Sequence, residues 1–340
     1  HRRVSESIMS DILNKFPDEL GGLGNKNPFY KDLFKWIEKC GKSFKKEGKK
    51  LVLIIDGLDH VIRRDDSVKE LKKFFDLLLP IPDGILIILG TQELDESHLP
   101  RNLVLASPKE SWIKIPFLDK KAVQEWLINN KEKINVAEIE LKQLSEYFYQ
   151  KSEGHPLHLK YSLRYLLEQE IPINENSIKS LPGISHQDIR AYYDELWLML
   201  NDEEHQVLHL LAACDFVWPI EGLIDCFTLQ GVKKSQINYS IKRVKHLLES
   251  TDLGFIPFHS SIVVFVKNLN DHSIFAGEMK EYTLEWLKNK APSYWKWAYE
   301  WLLEAELGNS EPLNSGPDRD WLIGSISKAL PKEEMLEILK

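Results

Sequence analysis

Two carboxylates follow a short apolar run in the stretch LVLIIDGLDH, residues 51–60. The run Leu51–Ile55 shows no polar alternation, which predicts a strand buried on both faces of a parallel sheet. Ligands bind at the carboxyl ends of such strands, where Asp56 and Asp59 would lie. A carboxylate there suits a magnesium ion that carries a nucleotide phosphate. Asp56 and Gly57 also fit an ordinary turn, so these residues alone leave both interpretations open.

The sequence contains no recognisable loop for cradling phosphate groups. The letters CGKS, at residues 40–43, match the end of the pattern G-x-x-x-x-G-K-[ST]. Trp36, however, stands where that pattern requires its first glycine, and the preceding residues have a helical pattern. We interpret this stretch as the C-terminus of a helix that continues into a lysine-rich connector.

The composition is that of an ordinary globular protein, with 340 residues for two or three domains. A formal net charge of −8 excludes a global basic field that would attract nucleic acid. The three cysteines, Cys40, Cys214 and Cys226, offer neither a disulfide framework nor zinc-ligand spacing. They indicate a reducing compartment, and we expect a cytoplasmic protein. No apolar run approaches the roughly 20 residues of a membrane span.

The elements that must position the carboxylates alternate between helix and strand up to about residue 130. Helices are predicted at residues 5–16, 30–44, 67–79 and 120–129, and strands at 51–55, from 85 onward and at 111–119. Strand–helix–strand order with short turns implies a parallel, right-handed crossover. We therefore expect the first two strands to be parallel neighbours, with Asp56 and Thr91 at the same sheet edge.

Residues 137–270 are predicted to be mostly helical. Helices are expected at residues 138–152, 157–169, 189–200, 202–214 and 236–249, and the letters LGFIPFH predict a short strand. Three helices and a β-wing are a winged-helix layout. Beyond Asp271 the chain is helical and rich in tryptophan, as at the start of a helical-repeat array.

Three landmarks, in this order, resemble the STAND class of P-loop NTPases, the group that includes NACHT and NB-ARC proteins. LVLIIDGLD resembles the Walker B strand, Gly154-His155-Pro156 the G-x-P motif, and Phe258-His259 the end of the winged-helix domain. The resemblance implies an incomplete α/β parallel-sheet P-loop NTPase core, then a helical domain, a winged-helix domain and the start of an α-helical C-terminal region. Its expected domain ranges are residues 1–135, 136–180, 181–270 and 271–340.

The resemblance also implies that the chain begins downstream of the P-loop. HRRVSESIMSDIL, residues 1–13, is similar to the helix after the second strand of that core. We therefore expect the first strand, the P-loop and an N-terminal effector domain to lie outside this chain. The fragment alone should then be inactive, whereas the intact protein should be an ATPase.

The resemblance assigns roles to the acids and to the end of the second strand. Asp56 would hold Mg²⁺, usually through water. Asp59 would polarise the attacking water, although it also fits the N-cap of a following turn. Thr91 would sense the γ-phosphate. Gln92 stands where the class often has an arginine, which puts a charged sensor in doubt.

Two further roles concern bound ATP or ADP. Pro156 would pack near the adenine, although a proline is also ordinary at the first position of a helix. His259 would donate a hydrogen bond to the β-phosphate of ADP, although a lone histidine is more often structural.

The function implied by the resemblance is a switch. ADP would hold a closed monomer, a protein trigger recognised by the C-terminal helices would loosen it, and ATP would drive homo-oligomerisation that clusters the effectors. Defence, above all bacterial defence against phage, is the expected setting. Two alternatives stay open. Lys233, Lys234, Lys242, Arg243 and Lys245 could form the basic face of a winged helix that binds DNA. The chain could also be a catalytically inactive scaffold for protein partners.

Overall fold

The computed structural model describes residues 2–23, 29–58, 67–91, 97, 99–134, 136–186, 188–311 and 319–327. These residues are mostly helical, with two small sheets of two strands each. The chain divides into two compact units, His1–Ile115 and Pro116–Lys340. None of the described helices is long and apolar enough to cross a membrane. The finer domain boundaries at residues 135, 180 and 270 stay predictions.

The first unit places helices around one pair of strands. Its elements are α1 (Arg2–Lys15), α2 (Pro17–Leu20), α3 (Leu33–Lys46), β1 (Leu51–Ile55), α4 (Ser67–Leu78), β2 (Ile85–Leu89) and α5 (Arg101–Ala106). Short 3-10 turns lie at Gly21–Leu23, Tyr30–Asp32 and Lys109–Ser111. The helices predicted at residues 5–16, 30–44 and 67–79 are confirmed, with ends that shift by a few residues.

The sheet of the first unit is parallel, as the strand–helix–strand order predicts. Leu51 lies opposite Ile85, and Ile55 lies opposite Leu89. On one face, Leu51, Leu53 and Ile85 are buried in a core with the apolar stripes of α1, α3 and α4. The carboxyl ends of β1 and β2 therefore lie at the same sheet edge.

The prediction that Leu51–Ile55 is buried on both faces is wrong. Every second side chain of the sheet points to solvent, and the exposed fractions are Val52 45%, Ile54 72%, Leu86 44% and Ile88 46%. An unbroken apolar run is compatible with burial of both faces of a strand. The described helices, however, pack on only one face of this sheet. We call Val52, Ile54, Leu86 and Ile88 the open sheet face.

The CGKS stretch lies inside α3, as its helical surroundings predict. Gly41 is buried there, against the carbonyl oxygen of Asp83 and the side chain of Ile85. A methyl group at this position would collide with both, so only glycine fits. Gly84, whose φ is +78°, approaches the backbone of Gly41 just as closely. Gly41 thus lets α3 pack on the start of β2, and Lys42 pairs with Glu38 on the surface at 2.7 Å.

The strand predicted at residues 111–119 does not form. This segment is extended but pairs with no described strand, and the side chains of Ile113 and Ile115 are 90% and 86% exposed. Pro116 lacks a backbone N–H, which disfavours a ladder at this point. The segment instead contains the boundary between the two units.

The second unit is built almost entirely from helices. Its helices are α6 (Lys120–Asn129), α7 (Lys131–Ile134), α8 (Glu138–Ser152), α9 (Pro156–Glu168), α10 (Glu175–Lys179), α11 (Ile189–Met199), α12 (Asp202–Ala213), α13 (Ile220–Leu229), α14 (Lys234–Val244), α15 (Ser260–Lys267), α16 (His272–Asn289), α17 (Ser293–Glu306) and α18 (Arg319–Ser327). Strands β3 (Leu248–Thr251) and β4 (Gly254–Pro257) form an antiparallel hairpin after the 3-10 turn Lys245–Leu247.

Local sequence fixes where several of these helices begin. The carboxylate of Asp119 accepts the N–H of Ala122 at 2.7 Å before α6. Asn201 and Glu204 form a capping box at the start of α12. Pro156 opens α9, where its missing N–H costs nothing.

Three helices, α12 to α14, precede the β3–β4 hairpin. The short strand predicted from LGFIPFH is confirmed as β4, but the helix predicted to extend to residue 249 ends at Val244. Helix α13 was not predicted. Gly222 in its interior weakens the sequence signal, yet in the fold it lets the ring of Trp286 pack tightly on that turn.

Helix α9 belongs to two hydrophobic cores at once. Leu159, Leu163 and Leu166 lie in a core formed with α6 and α8. Tyr161 lies in the larger core, which is built on α11 to α17 and contains Trp218. Helix α9 therefore connects the core formed with α6 and α8 to the larger core of the second unit.

All three cysteines are buried free thiols. Burial raises the pKa of Cys40 and of Cys214 to about 11, and it also raises the pKa of Cys226. Since the thiolate is the reactive form, these side chains act as small apolar core residues.

Candidate functional site

The carboxyl edge of the parallel sheet brings Asp56 and Thr91 together, as predicted. Asp56 follows β1, and Thr91 lies two residues after the end of β2. The backbone joins the two chain ends, because Gly90 N–H donates to the Ile55 carbonyl at 2.8 Å and Leu58 N–H donates to the Gly90 carbonyl at 3.1 Å. Both site residues are exposed.

The carboxylate of Asp56 is held in a turn rather than in a buried tip. Its Oδ1 accepts the N–H of Gly57 at 2.9 Å, and Gly57 has a φ of +80°. A methyl group on Gly90 would overlap with Asp56 Oδ1, so the missing side chain of Gly90 makes room for the carboxylate. Asp56 therefore keeps its solvation and needs no partner to offset a burial cost.

The donor set at this edge suits one kind of metal. Among the described residues, no three His, Cys, Asp or Glu side chains gather as a metal site. Mg²⁺ usually keeps several waters and binds through one or two carboxylates and substrate phosphates. Asp56 fits that requirement as a single accessible ligand. Asp59 and Gln92 lie outside the described residues, so their predicted roles stay predictions.

The second unit holds the other two predicted residues. Gly154, with a φ of +79°, passes so close to Leu118 that any side chain would overlap with the Leu118 carbonyl oxygen. The ring of His155 stacks on Phe117 with centroids 5.0 Å apart, and its buried Nδ1 has no hydrogen-bond partner. Pro156 is exposed at the first position of α9.

His259 caps the start of α15 in an unusual way. Its ring Nδ1 accepts the N–H of Ser261 at 3.1 Å. The Ser261 hydroxyl lies 2.7 Å from the same nitrogen and 2.7 Å from the hydroxyl of Tyr193. His259 is thus fixed by α15 itself and by α11.

Two cations from α9 lie over the ring of Phe258. Lys160 Nζ is 4.0 Å from the ring centroid, and the Arg164 guanidinium is 4.9 Å away. Arg164 also donates to the Leu248 carbonyl and pairs with Glu249 at 3.5 Å. Lys160 is exposed and makes no ion pair within the part of the chain that the structure describes.

The start of α9 and the start of α15 lie within electrostatic reach. The pKa of His155 is lowered mainly by burial, with a smaller contribution from positive charge on His259. The groups that face this place include two imidazoles, one ammonium and the N–H groups of two helix N-termini, which favour an anion, and the carboxylate of Asp188, which opposes one. We call His155, Lys160, Phe258 and His259 the histidine–lysine cluster.

Sequence reasoning proposed Asp56, Thr91, Pro156 and His259 as site residues but did not name the residues that lie beside them. Lys160 stands four residues after Pro156, so it lies on the same side of α9. That spacing is the signal that could have found it. The role of Gly90 beside Asp56 left no such signal, because only the parallel register of the strands reveals it.

No protein-family model matches the chain, and no curated protein matches it. Among solved structures, the chain is similar to a STAND protein with a tetratricopeptide repeat sensor from Pyrococcus horikoshii. That comparison has 18% identity and a TM-score of 0.45, and it covers 95% of this chain and 42% of the other. The chain is also similar to a Walker-type ATPase of Pyrococcus abyssi, with 14% identity, a TM-score of 0.31 and coverage of 76% and 75%.

Proposed function

We propose that this chain is part of a STAND-type molecular switch that binds ADP or ATP with Mg²⁺ and assembles when a trigger is recognised. The observation that carries the proposal is the histidine–lysine cluster. The motif order requires His259 and Pro156 to approach one ligand although they are far apart in sequence. Both lie where α9 and α15 begin, beside a lysine that has no acidic partner among the described residues.

The chemistry of the cluster suits a phosphate chain. Phosphate oxygens only accept hydrogen bonds, and the cluster supplies donors and positive charge. His259 would donate to the β-phosphate of ADP, and Lys160 would add a point charge beside it. Pro156 would pack near the base. Asp56 would hold Mg²⁺, which neutralises phosphate charge when bound, and Thr91 would contact the γ-phosphate.

The open sheet face supports the proposal that the α/β core of the first unit is incomplete. Parallel sheets occur almost only with helices on both faces, and two strands make a minimal sheet. We propose that in the intact protein the helix after the P-loop covers Val52, Ile54, Leu86 and Ile88, and that the strand before the P-loop extends the sheet at an edge. An ATPase activity would then belong to that protein, with Asp59 as the residue that polarises water.

The remaining elements fit the other parts of such a switch. Helices α12 to α14 and the β3–β4 hairpin support a winged-helix domain, and α16 to α18 support the start of a helical sensor for a protein trigger. We propose that activation produces a homo-oligomer, that an N-terminal effector responds, and that the setting is bacterial defence against phage.

The contacts of α14 disfavour the DNA-binding alternative. Of the five basic residues in α14 and directly beside it, three are engaged within the chain: Lys242 with Glu170 at 3.8 Å, Arg243 with Glu204 at 3.3 Å and Lys245 with Glu168 at 2.7 Å. The hairpin that would flank DNA carries Glu249 and the exposed Asp252. Nucleic acid is therefore not the partner that we propose.

The test is ADP binding to the full-length protein by calorimetry, with oligomeric state measured by mass photometry. A hydrogen bond to a charged group contributes about 1.5–3 kcal/mol. His259→Ala should therefore weaken ADP binding about ten- to a hundredfold and shift the protein toward the assembled form without a trigger. Lys160→Ala should weaken binding less.

Lys142→Ala removes another exposed lysine from a helix of the same unit and is the matched control. It should leave ADP affinity unchanged. If His259→Ala binds ADP as tightly as the unaltered protein and stays monomeric, the nucleotide switch is refuted.

A further inference from the structure

The cap of α15 determines which nitrogen of His259 carries a proton. A backbone N–H can only donate, and the N–H of Ser261 points to His259 Nδ1 at 3.1 Å. Nδ1 must therefore present a lone pair. A neutral imidazole has one proton, so that proton is on Nε2. The cap thus selects the tautomer in which His259 donates through Nε2–H.

The hydroxyl of Ser261 strengthens the same choice. It lies 2.7 Å from Nδ1, and since Nδ1 has no proton, the hydroxyl is the donor. A hydroxyl has only one proton, so Ser261 Oγ must be the acceptor toward Tyr193 at 2.7 Å. The order of donation is therefore Tyr193 to Ser261 to His259.

The Tyr193 end of this chain is held in place. Tyr193 is buried, and burial raises the pKa of its phenol, so the group keeps its proton at neutral pH. The hydroxyl of Tyr161 lies 3.5 Å away, which is too long to compete with the 2.7 Å bond to Ser261. Tyr193 therefore supplies its proton to Ser261, and Ser261 has its own proton left for His259.

We infer that Ser261 is the positioning residue of the site: its two donors hold His259 in the Nε2–H tautomer, so the atom that His259 contacts must be a hydrogen-bond acceptor. This inference rests on the proposed function, where that atom is a phosphate oxygen. In the other tautomer, Nε2 would present a lone pair that repels such an oxygen. Ser261 thereby sets the polarity of the contact without touching the ligand.

The experiment reads the tautomer directly and without nucleotide. The full-length protein is labelled with ¹⁵N-histidine, and the imidazole nitrogen shifts are recorded at neutral pH, with His259→Gln to assign the signal. The unaltered protein should show the Nε2–H form. Ser261→Ala removes one donor and should move the tautomer ratio about fivefold toward Nδ1–H, the net effect of one hydrogen bond.

Two further variants separate positioning from simple packing. Ser261→Thr keeps the hydroxyl and should restore the original ratio. Tyr193→Phe leaves Ser261 its own proton and should leave the ratio unchanged, even if the buried change lowers stability. An Nδ1–H form in the unaltered protein, or no change in Ser261→Ala, would overturn the inference.

ADP binding to the same variants keeps the two proposals apart. If the tautomer follows expectation but His259→Ala does not weaken ADP binding, the proposed function is wrong and the positioning role of Ser261 stands. If His259→Ala weakens binding but Ser261→Ala leaves the nitrogen shifts unchanged, the function stands and the positioning role is wrong.

Discussion

The sheet of the first unit and the tryptophan-containing core of the second unit differ in how they treat apolar side chains. The first exposes Ile54 on an apolar sheet face, whereas the second buries Trp218 and Trp286 almost completely and packs them 5.7 Å apart. Both units have apolar sequences, so sequence alone does not reveal the difference. The second unit buries Trp218 and Trp286 within its own core, whereas one apolar face of the sheet in the first unit is exposed among the described residues.

Acid should produce the largest difference between the units. Burial lowers the pKa of His158 and His209 to about 4 and that of His246 to about 3, from 6.5. The unfolded chain binds these protons below pH 6.5 and the folded chain does not. Stability is therefore full above pH 6.5 and is lost as the pH falls toward 4, by roughly 2 kcal/mol for each histidine at pH 5.

All three histidines belong to the second unit, so the pH dependence should be specific to that unit. Hydrogen exchange followed by mass spectrometry at pH 8 and pH 5, corrected for the intrinsic pH dependence of amide exchange, should show a larger loss of protection there than in the first unit. His246→Gln should reduce the pH slope, since it removes one of the histidines whose pKa is lowered by burial. An equal loss of amide protection in both units would contradict the assignment of the pH dependence to these histidines.

The next largest difference between the units should be the change in the free energy of unfolding when one apolar side chain in each is truncated. Trp218 is buried between Phe216 and Trp286, so Trp218→Ala should lower the free energy of unfolding by about 3–5 kcal/mol. Ile54→Ala, on the open sheet face, should change it by less than about 0.5 kcal/mol. Denaturant unfolding measures both. A large loss in Ile54→Ala would mean that its face is already covered.

Among the ion pairs of the second unit, too, the loss of a buried contact should lower the free energy of unfolding more than the loss of an exposed one. Glu204 is buried and pairs with Arg243, which also donates to the hydroxyl of Tyr165 at 3.0 Å. Arg243→Met leaves the carboxylate without its partner and should cost about 3 kcal/mol in unfolding experiments. Lys245→Met breaks the more exposed pair with Glu168 and should cost less than about 1 kcal/mol. Similar losses in both variants would refute a burial-dependent difference.

A small stability effect should accompany a change in function. Gly90→Ala adds a methyl group whose closest overlap is with the carboxylate of Asp56, a side chain on the surface that can rotate away, so it should cost less than about 1 kcal/mol. It should nevertheless displace Asp56 and weaken Mg²⁺-dependent nucleotide binding by the full-length protein. Gly84→Ala is the control at the other end of β2. Its methyl group would meet the backbone of Gly41 at a positive φ, so it should destabilise the unit much more.

Periodicity and connection length were enough to predict much of the fold. They gave the parallel pair β1–β2, the shared edge of Asp56 and Thr91, and the helical identity of the CGKS stretch. All three depend on neighbouring residues or on the geometry of short crossovers. The helices around Pro156 follow from similar local signals.

Features that depend on distant partners could not be predicted. An apolar run shows that its side chains are suited to burial, but it does not show whether other elements cover both faces of the sheet. The exposure of Ile54 could therefore not be predicted. Alternating Ile113 and Ile115 suggest a strand, yet none of the described strands pairs with them. Helix α13 has an interior glycine that makes sense only beside Trp286. The contact of Lys160 with Phe258 and the hydrogen bond between Tyr193 and Ser261 also arise from tertiary structure.

Helix α9 has a consequence for how the second unit comes apart. Its leucines belong to one core and Tyr161 belongs to the other. Melting this helix would remove side chains from both cores in a single event. We therefore expect the two cores to unfold cooperatively, as one foldon rather than two. A ligand held at the first turn of α9 would then protect amides throughout both.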